Sequence, residues 1–176
     1  TKTIPGEGTY TVAPDGTVTF VPEKSFVGTA AGIVVQRQDK NGTVVKAMYT
    51  PTVTPVTPTA TPAESVAPQG VVQTGTVTFT EGDPVAPIDK DTITLLDENG
   101  QPAASVVAKS PEGKEIGTFT VDKATGVVTF TPTDKSYTGK VTPVKVQAES
   151  SNGIKVDTTY TPEIVPVTPT ATPAET

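Results

Sequence analysis

Residues 8–65 of this chain return at residues 117–176. The strings GTYTVAPDGTVTFVPEKSFVG and NGTVVKAMYTPTVTPVTPTATPAES come back as GTFTVDKATGVVTFTPTDKSYTG and NGIKVDTTYTPEIVPVTPTATPAET. A self-similarity offset of about 110 residues means that one structural unit is written twice, and it outweighs any local propensity. The aromatic residues keep register across the copies: Tyr10 matches Phe119, Phe20 matches Phe130, Phe26 matches Tyr137 and Tyr49 matches Tyr160. Only Phe79 has no counterpart. Bulky residues that recur in register supply most of a thin core, so these eight are the candidate structural core rather than ligand-stacking groups.

Within each copy the hydrophobic period is two. Thr43, Val45, Ala47 and Tyr49 alternate with Val44, Lys46 and Met48, and correspond to Ile154, Val156, Thr158 and Tyr160. This predicts half-buried strands with the first set facing inward. Upstream, Ile33 and Val35 match Val144 and Val146, and each pair of runs is joined by Asn41-Gly42 or Asn152-Gly153. Asn-Gly accepts positive φ at both positions, which a two-residue hairpin turn requires, so both pairs are read as hairpin turns. Another hairpin is predicted over 10–20, turning at Asp15-Gly16, with its repeat over 119–130 one residue longer in the turn. The intervening stretch 70–115 has strand-like runs at 75–80, 92–96 and 105–108.

Composition closes off helices. Of 176 residues, 35 are Thr, 15 Gly and 18 Pro. Thr and Val are stiff at χ1 and suit a pleated sheet, while Gly and Pro break any segment of helical length. The predicted fold class is all-β: small antiparallel β-sandwich-like repeat domains joined by Pro/Thr-rich extended linkers. The organisation reads as the C-terminal half of one repeat at 1–51, a linker at 52–68, a complete repeat at 69–162 and a second linker at 163–176. Proline at nearly every third position favours polyproline II, whose rise of about 3.1 Å per residue would stretch the first linker to roughly 55 Å.

Most chemistry is excluded by what the chain lacks. There is no His and no Cys, which removes Ser-His-Asp and Cys-His constellations, soft-metal ligands and disulfides. No catalytic, metal or cofactor residue is assigned, and the chain is read as a non-enzyme. Asp39-Lys40-Asn41-Gly42 and Asp97-Glu98-Asn99-Gly100 resemble the opening of a calcium loop, but neither is followed by the bidentate Glu at the required spacing. Asn41, Asn99 and Asn152 all precede Gly, a turn-tip position unsuited to the buried Lys-Asn cross-links of some surface domains. The net charge of −6, with Arg37 as the single arginine, disfavours nucleic acid. No apolar run approaches a membrane span, so no membrane insertion is expected.

The ordered string GTFTVDKATGVVTFTPTDKSYTG, the Asn-Gly hairpin, the closing YTP and the opening QGVVQTGTVTFTEGDPVAPI resemble the repeat of CshA-type fibrillar surface adhesins of streptococci. The resemblance covers essentially the whole chain. It implies an all-β domain of about a hundred residues, strung many times between a ligand-binding N-terminal region and a wall-anchoring C-terminus. The chain departs from that pattern by opening in mid-repeat. The implied location is extracellular, on a cell surface, anchored through a region outside this sequence. The implied partners are neighbouring repeats of the same polypeptide, with a host or microbial surface ligand engaged by other regions, and the chain is expected to be a monomer. Two function classes follow: a stalk spacer, or a weak multivalent binding module for matrix protein, glycan or other cells. No aromatic or charged cluster lies outside the core register, which favours the spacer.

Overall fold

The computed structural model describes residues 1–176, which form strands and turns and no helix. The chain divides into two compact units, Thr1–Thr57 and Pro58–Thr176.

In the first unit, β1 (Lys2–Ile4), β2 (Gly8–Val12) and β3 (Val18–Pro22) make a three-stranded antiparallel sheet. Four strands follow: β4 (Gly28–Thr29), β5 (Ile33–Gln38), β6 (Val44–Tyr49) and β7 (Thr52–Val53). β5 pairs with β6 from Ile33↔Tyr49 to Gln38↔Val44, and β4 pairs with β7. The Glu7 carboxylate accepts the Ala31 N–H at 3.0 Å, tying the sheet to the segment that leads into β5.

The second unit opens with β8 (Thr59–Thr61), β9 (Ala63–Pro68), β10 (Gln73–Thr76), β11 (Thr78–Thr80) and β12 (Ile88–Leu96). It continues through β13 (Pro102–Ala103), β14 (Ser105–Lys109), β15 (Glu115–Val121) and β16 (Val127–Pro132), then β17 (Gly139–Lys140), β18 (Val144–Ser150) and β19 (Lys155–Val165). One sheet runs β10-β16-β15-β14, a second runs β13-β12-β18-β19-β17 with β9 added to β19, and β8 pairs with β11. The sheets share one core. Val128, Phe119 and Phe130 come from the first, and Ile93, Leu95, Val146, Ala148, Tyr160 and Ile164 from the second. This is a β-sandwich in which alternate residues of facing strands supply the filling.

Two sequence expectations differ from this arrangement. The tract read as a linker at 52–68 is in large part sheet, because Thr52–Val53 pairs with β4 and both β8 and β9 are paired within the second unit. Likewise β19 continues past 162 to Val165, and only 166–176 carries no element. Proline was the misleading signal. Pro162 accepts a bond from Val141 N–H through its carbonyl, so its missing N–H faces the β17 side and takes nothing from the ladder on the β9 side.

The turns also differ from the two-residue form. No non-glycine residue has positive φ, so Asn41 and Asn152 stay in ordinary conformations while Gly42 and Gly153 carry φ of +82° and +84°. Asp39 N–H donates to Thr43 C=O at 2.9 Å and Gly42 N–H to Asp39 C=O at 3.1 Å, the pattern of a type I turn closed by a G1 bulge. Asp39 explains the choice: its Oδ1 accepts the N–H of Asn41 and of Thr43, both at 2.9 Å, which holds the first turn residues in the right-handed region. The same bonds close 13–17, 97–101, 110–114 and 150–154, so one turn design serves five hairpins. The 122–127 turn is one residue longer, with Gly126 N–H donating to Asp122 C=O.

Candidate functional site: the paired terminal strands

Most of the aspartates cap turns. Asp15, Asp39, Asp97, Asp122 and Asp134 each accept a backbone N–H two residues on through Oδ1. Asp97 also accepts from Gln101 N–H at 2.9 Å, so the two calcium-like openings act as turn caps here. No group of three or more His, Cys, Asp or Glu side chains converges on a point that could hold a metal. Asp134 takes further bonds from Lys114 Nζ at 2.7 Å and Ser136 Oγ at 2.6 Å, and these hold its carboxyl at about 2, below its ordinary 3.8.

The eight candidate core aromatics form two versions of one arrangement. Tyr10 lies 4.7 Å from Phe20 and edge-on to Tyr49 at 6.3 Å, as Phe119 lies 5.5 Å from Phe130 and edge-on to Tyr160 at 6.0 Å. Tyr10, Phe119, Phe130 and Tyr160 are fully buried, whereas Phe20, Phe26, Tyr49 and Tyr137 are half-buried. The Tyr137 hydroxyl donates to Lys140 C=O at 2.7 Å. Asn41, Gly42 and Gly153 sit exposed in hairpin turns, and Asn152 is half-buried in its own.

The inward face predicted for 43–49 is a further difference. In the second unit Val128, Val146 and Tyr160 are buried among Val77, Ile93 and Leu95, which come from the segment 73–96. The first unit has no equivalent of that segment. Its matching residues Val18, Val35 and Tyr49 are only half-buried, Val45 is 67% exposed, and together with Ala47 they line an open groove of about 490 Å³.

The feature that sequence reasoning missed is where the second unit begins and ends. β9, near its start, lies parallel to β19, near its end, in an unbroken register from Ala63↔Tyr160 to Val165↔Pro68. Beyond the ladder, Gln69 N–H donates to Val165 C=O at 3.1 Å and Gln69 Oε1 accepts Val167 N–H at 2.8 Å. Side chains fasten the same pair. Ser65 Oγ lies 2.6 Å from the Tyr160 hydroxyl and donates to Gln73 Oε1 at 2.6 Å, while Gln73 Nε2 donates to Glu163 C=O at 3.0 Å. Burial pushes the Tyr160 hydroxyl above its ordinary pKa, with the Ser65 bond opposing that rise. The phenol therefore stays neutral, and Gln73, which is buried, has polar partners at both ends of its amide. A signal for β9 was present: Ala63, Ser65 and Ala67 alternate with Glu64, Val66 and Pro68, a period of two that the prolines masked.

Comparison with known proteins bears on this architecture. No curated protein matches the chain at a significant level. The family of the surface adhesin CshA repetitive domain matches residues 1–53 and again residues 55–164. The second match contains β8 and β9 together with β19, the strands that close the second unit, and the first ends at β7. A unit matched twice along nearly the whole length, folded as an all-β domain with its aromatics in register, makes this chain a member of the surface adhesin CshA repetitive domain family.

Proposed function

We propose that the chain is a stalk segment of a cell-surface fibrillar adhesin, a run of folded repeats that spaces an adhesive region away from the cell wall. The observation that carries this reading is how the recurring residues are spent. The aromatics shared by the two copies pack against one another and the shared Asn-Gly pairs form turns, so these recurring residues are spent on folding each unit. Ligand contact then belongs to other regions of the parent polypeptide, as does wall anchoring, and the repeats contribute length rather than catalysis.

The test replaces repeats in the parent adhesin with unrelated all-β domains of equal number and size. Adhesion of cells to their surface ligand should follow repeat number and be indifferent to repeat sequence. Loss of adhesion on replacement at constant length would overturn the spacer reading in favour of a repeat that binds for itself, where linked weak sites act at raised effective concentration.

A further inference from the structure

We infer that the β9–β19 pair of the second unit is a shear clamp that lets the repeat bear tension along the chain, an inference that rests on the stalk reading because only a stalk is loaded end to end. Tension enters the second unit through the chain preceding β9 and leaves through the chain following β19. Because the strands are parallel, β9 is pulled from its leading end and β19 from its trailing end, in opposite directions along a shared axis. The ladder bonds therefore lie across the direction of sliding and carry the load together. An antiparallel pair loaded at its open end would instead release its bonds one after another. β8, with only three residues against β11, stands outside the clamp and yields first.

Three features fit that load path. β19 is held on its other side by β18 over 155–160 and by β17 at 163–164, so the trailing strand is anchored in the sheet before it meets β9. The Ser65, Tyr160 and Gln73 side chains cross-link the two strands and β10, and Gln69 adds bonds at the trailing end to Val165 and Val167. The prolines are placed where they cost the ladder nothing. Gln69 N–H points to β19, and N–H direction alternates along a strand, so Ser65 and Ala67 also point to β19 while Val66 and Pro68 point away.

That alternation supplies the experiment. The full 176-residue chain is tethered at its two termini and pulled, and the second unit's unfolding force and rate are recorded; a second attachment pulls the N-terminus against Asn152→Cys, a unique thiol in a chain without cysteine. Asn152 lies in the turn that opens β19, so this geometry loads both strands at their leading ends and peels them apart. The second unit should resist end-to-end pulling at a clearly higher force than peeling. Ala67→Pro, which removes an N–H from the ladder, should raise the end-to-end unfolding rate about tenfold, as the loss of one ladder bond implies. Val66→Pro, one residue away on the free side, should leave it within about twofold. Equal forces in the two geometries, or equal effects of the two prolines, would overturn the clamp. Because pulling reads the molecule alone, a weak end-to-end force sinks the clamp even if adhesion follows repeat number, and sequence-dependent adhesion sinks the spacer without changing these forces.

Discussion

Gly75→Ala tests the packing under the clamp, because it should destabilise a position where most strands would gain. Gly in a strand interior ordinarily costs roughly 0.5–1 kcal/mol relative to Ala, so an open site would be stabilised by the change. Gly75 is not open. A Cβ built there falls 2.5 Å and 2.7 Å from Cε1 and Cδ1 of Tyr160, and 3.2 Å from the Cβ of Ala63. The obstacle is a buried ring whose hydroxyl is bonded to Ser65, so it cannot swing aside without breaking that bond. Overpacking costs about 1–3 kcal/mol and the Ser65 bond is worth about 1 kcal/mol. After the backbone gain is subtracted, the net loss is about 1–3 kcal/mol, or roughly 4–12 °C in the melting temperature of a domain this size. Calorimetry and urea unfolding of the full chain would measure it, with Thr74→Ala, on the exposed face of the same strand, as the control expected to stay within about 0.5 kcal/mol. A Gly75→Ala protein as stable as the parent or more so would refute the argument that Tyr160 needs a glycine beneath it.

Other outcomes follow from the same structure. The Asp134 carboxyl is held at about 2 by Lys114 and Ser136, so the unfolded chain binds the proton more readily; the stabilisation is full above the ordinary carboxylate pKa and is lost as pH falls from 3.8 through about 2. Acid titration of Asp134→Asn should therefore lack that segment of the pH dependence, and an identical profile would contradict it. Tyr10 has a buried hydroxyl without a hydrogen-bond partner, so Tyr10→Phe, the residue at the matching position 119, should stabilise the first unit by about 1 kcal/mol. Amide exchange should show long protection in β18 and β19 and much less in β5 and β6, a two-stranded sheet with one face open; equal protection would mean that the first unit is cooperative by itself. A chain starting at Pro58 should keep the second unit's stability, while one starting at Ala67, which lacks β8 and most of β9, should melt well below it.

Much of the architecture was legible because it is written in local terms. The hairpins lie where turn glycines are flanked by alternating residues, and aromatics that share a register across the copies lie in like pairs, Tyr10 with Phe20 and Phe119 with Phe130. The turn type was misread because Asn-Gly carries the two-residue signal, whereas the preceding Asp39, through its bonds to the N–H groups of Asn41 and Thr43, selects a longer loop. The exposure of Val45 was not legible from its own strand. The residues that cover its counterpart's face, Val77, Ile93 and Leu95, lie far away in sequence and have no copy within the first unit.

The terminal pairing illustrates why the remainder escaped. VTPTATPAE occurs at 56–64 and again, unchanged, at 167–175. In the earlier copy Thr59–Thr61 is β8 and Ala63 and Glu64 open β9; in the later copy the same residues have no element. Nothing intrinsic to the nine residues can separate the two states, so the difference lies in what each meets. The earlier copy pairs with β11 and β19, strands that follow it by tens of residues, and the later copy pairs with no strand of these 176 residues. Strand formation here is a property of the pair. A Pro/Thr tract can then be chain-like until its partners arrive and sheet once they do, provided its prolines fall on the side that no partner needs, as Pro68 does. Reading such tracts only by proline content assigns them to the gaps between domains, when in the second unit this one supplies the strand that closes the sandwich.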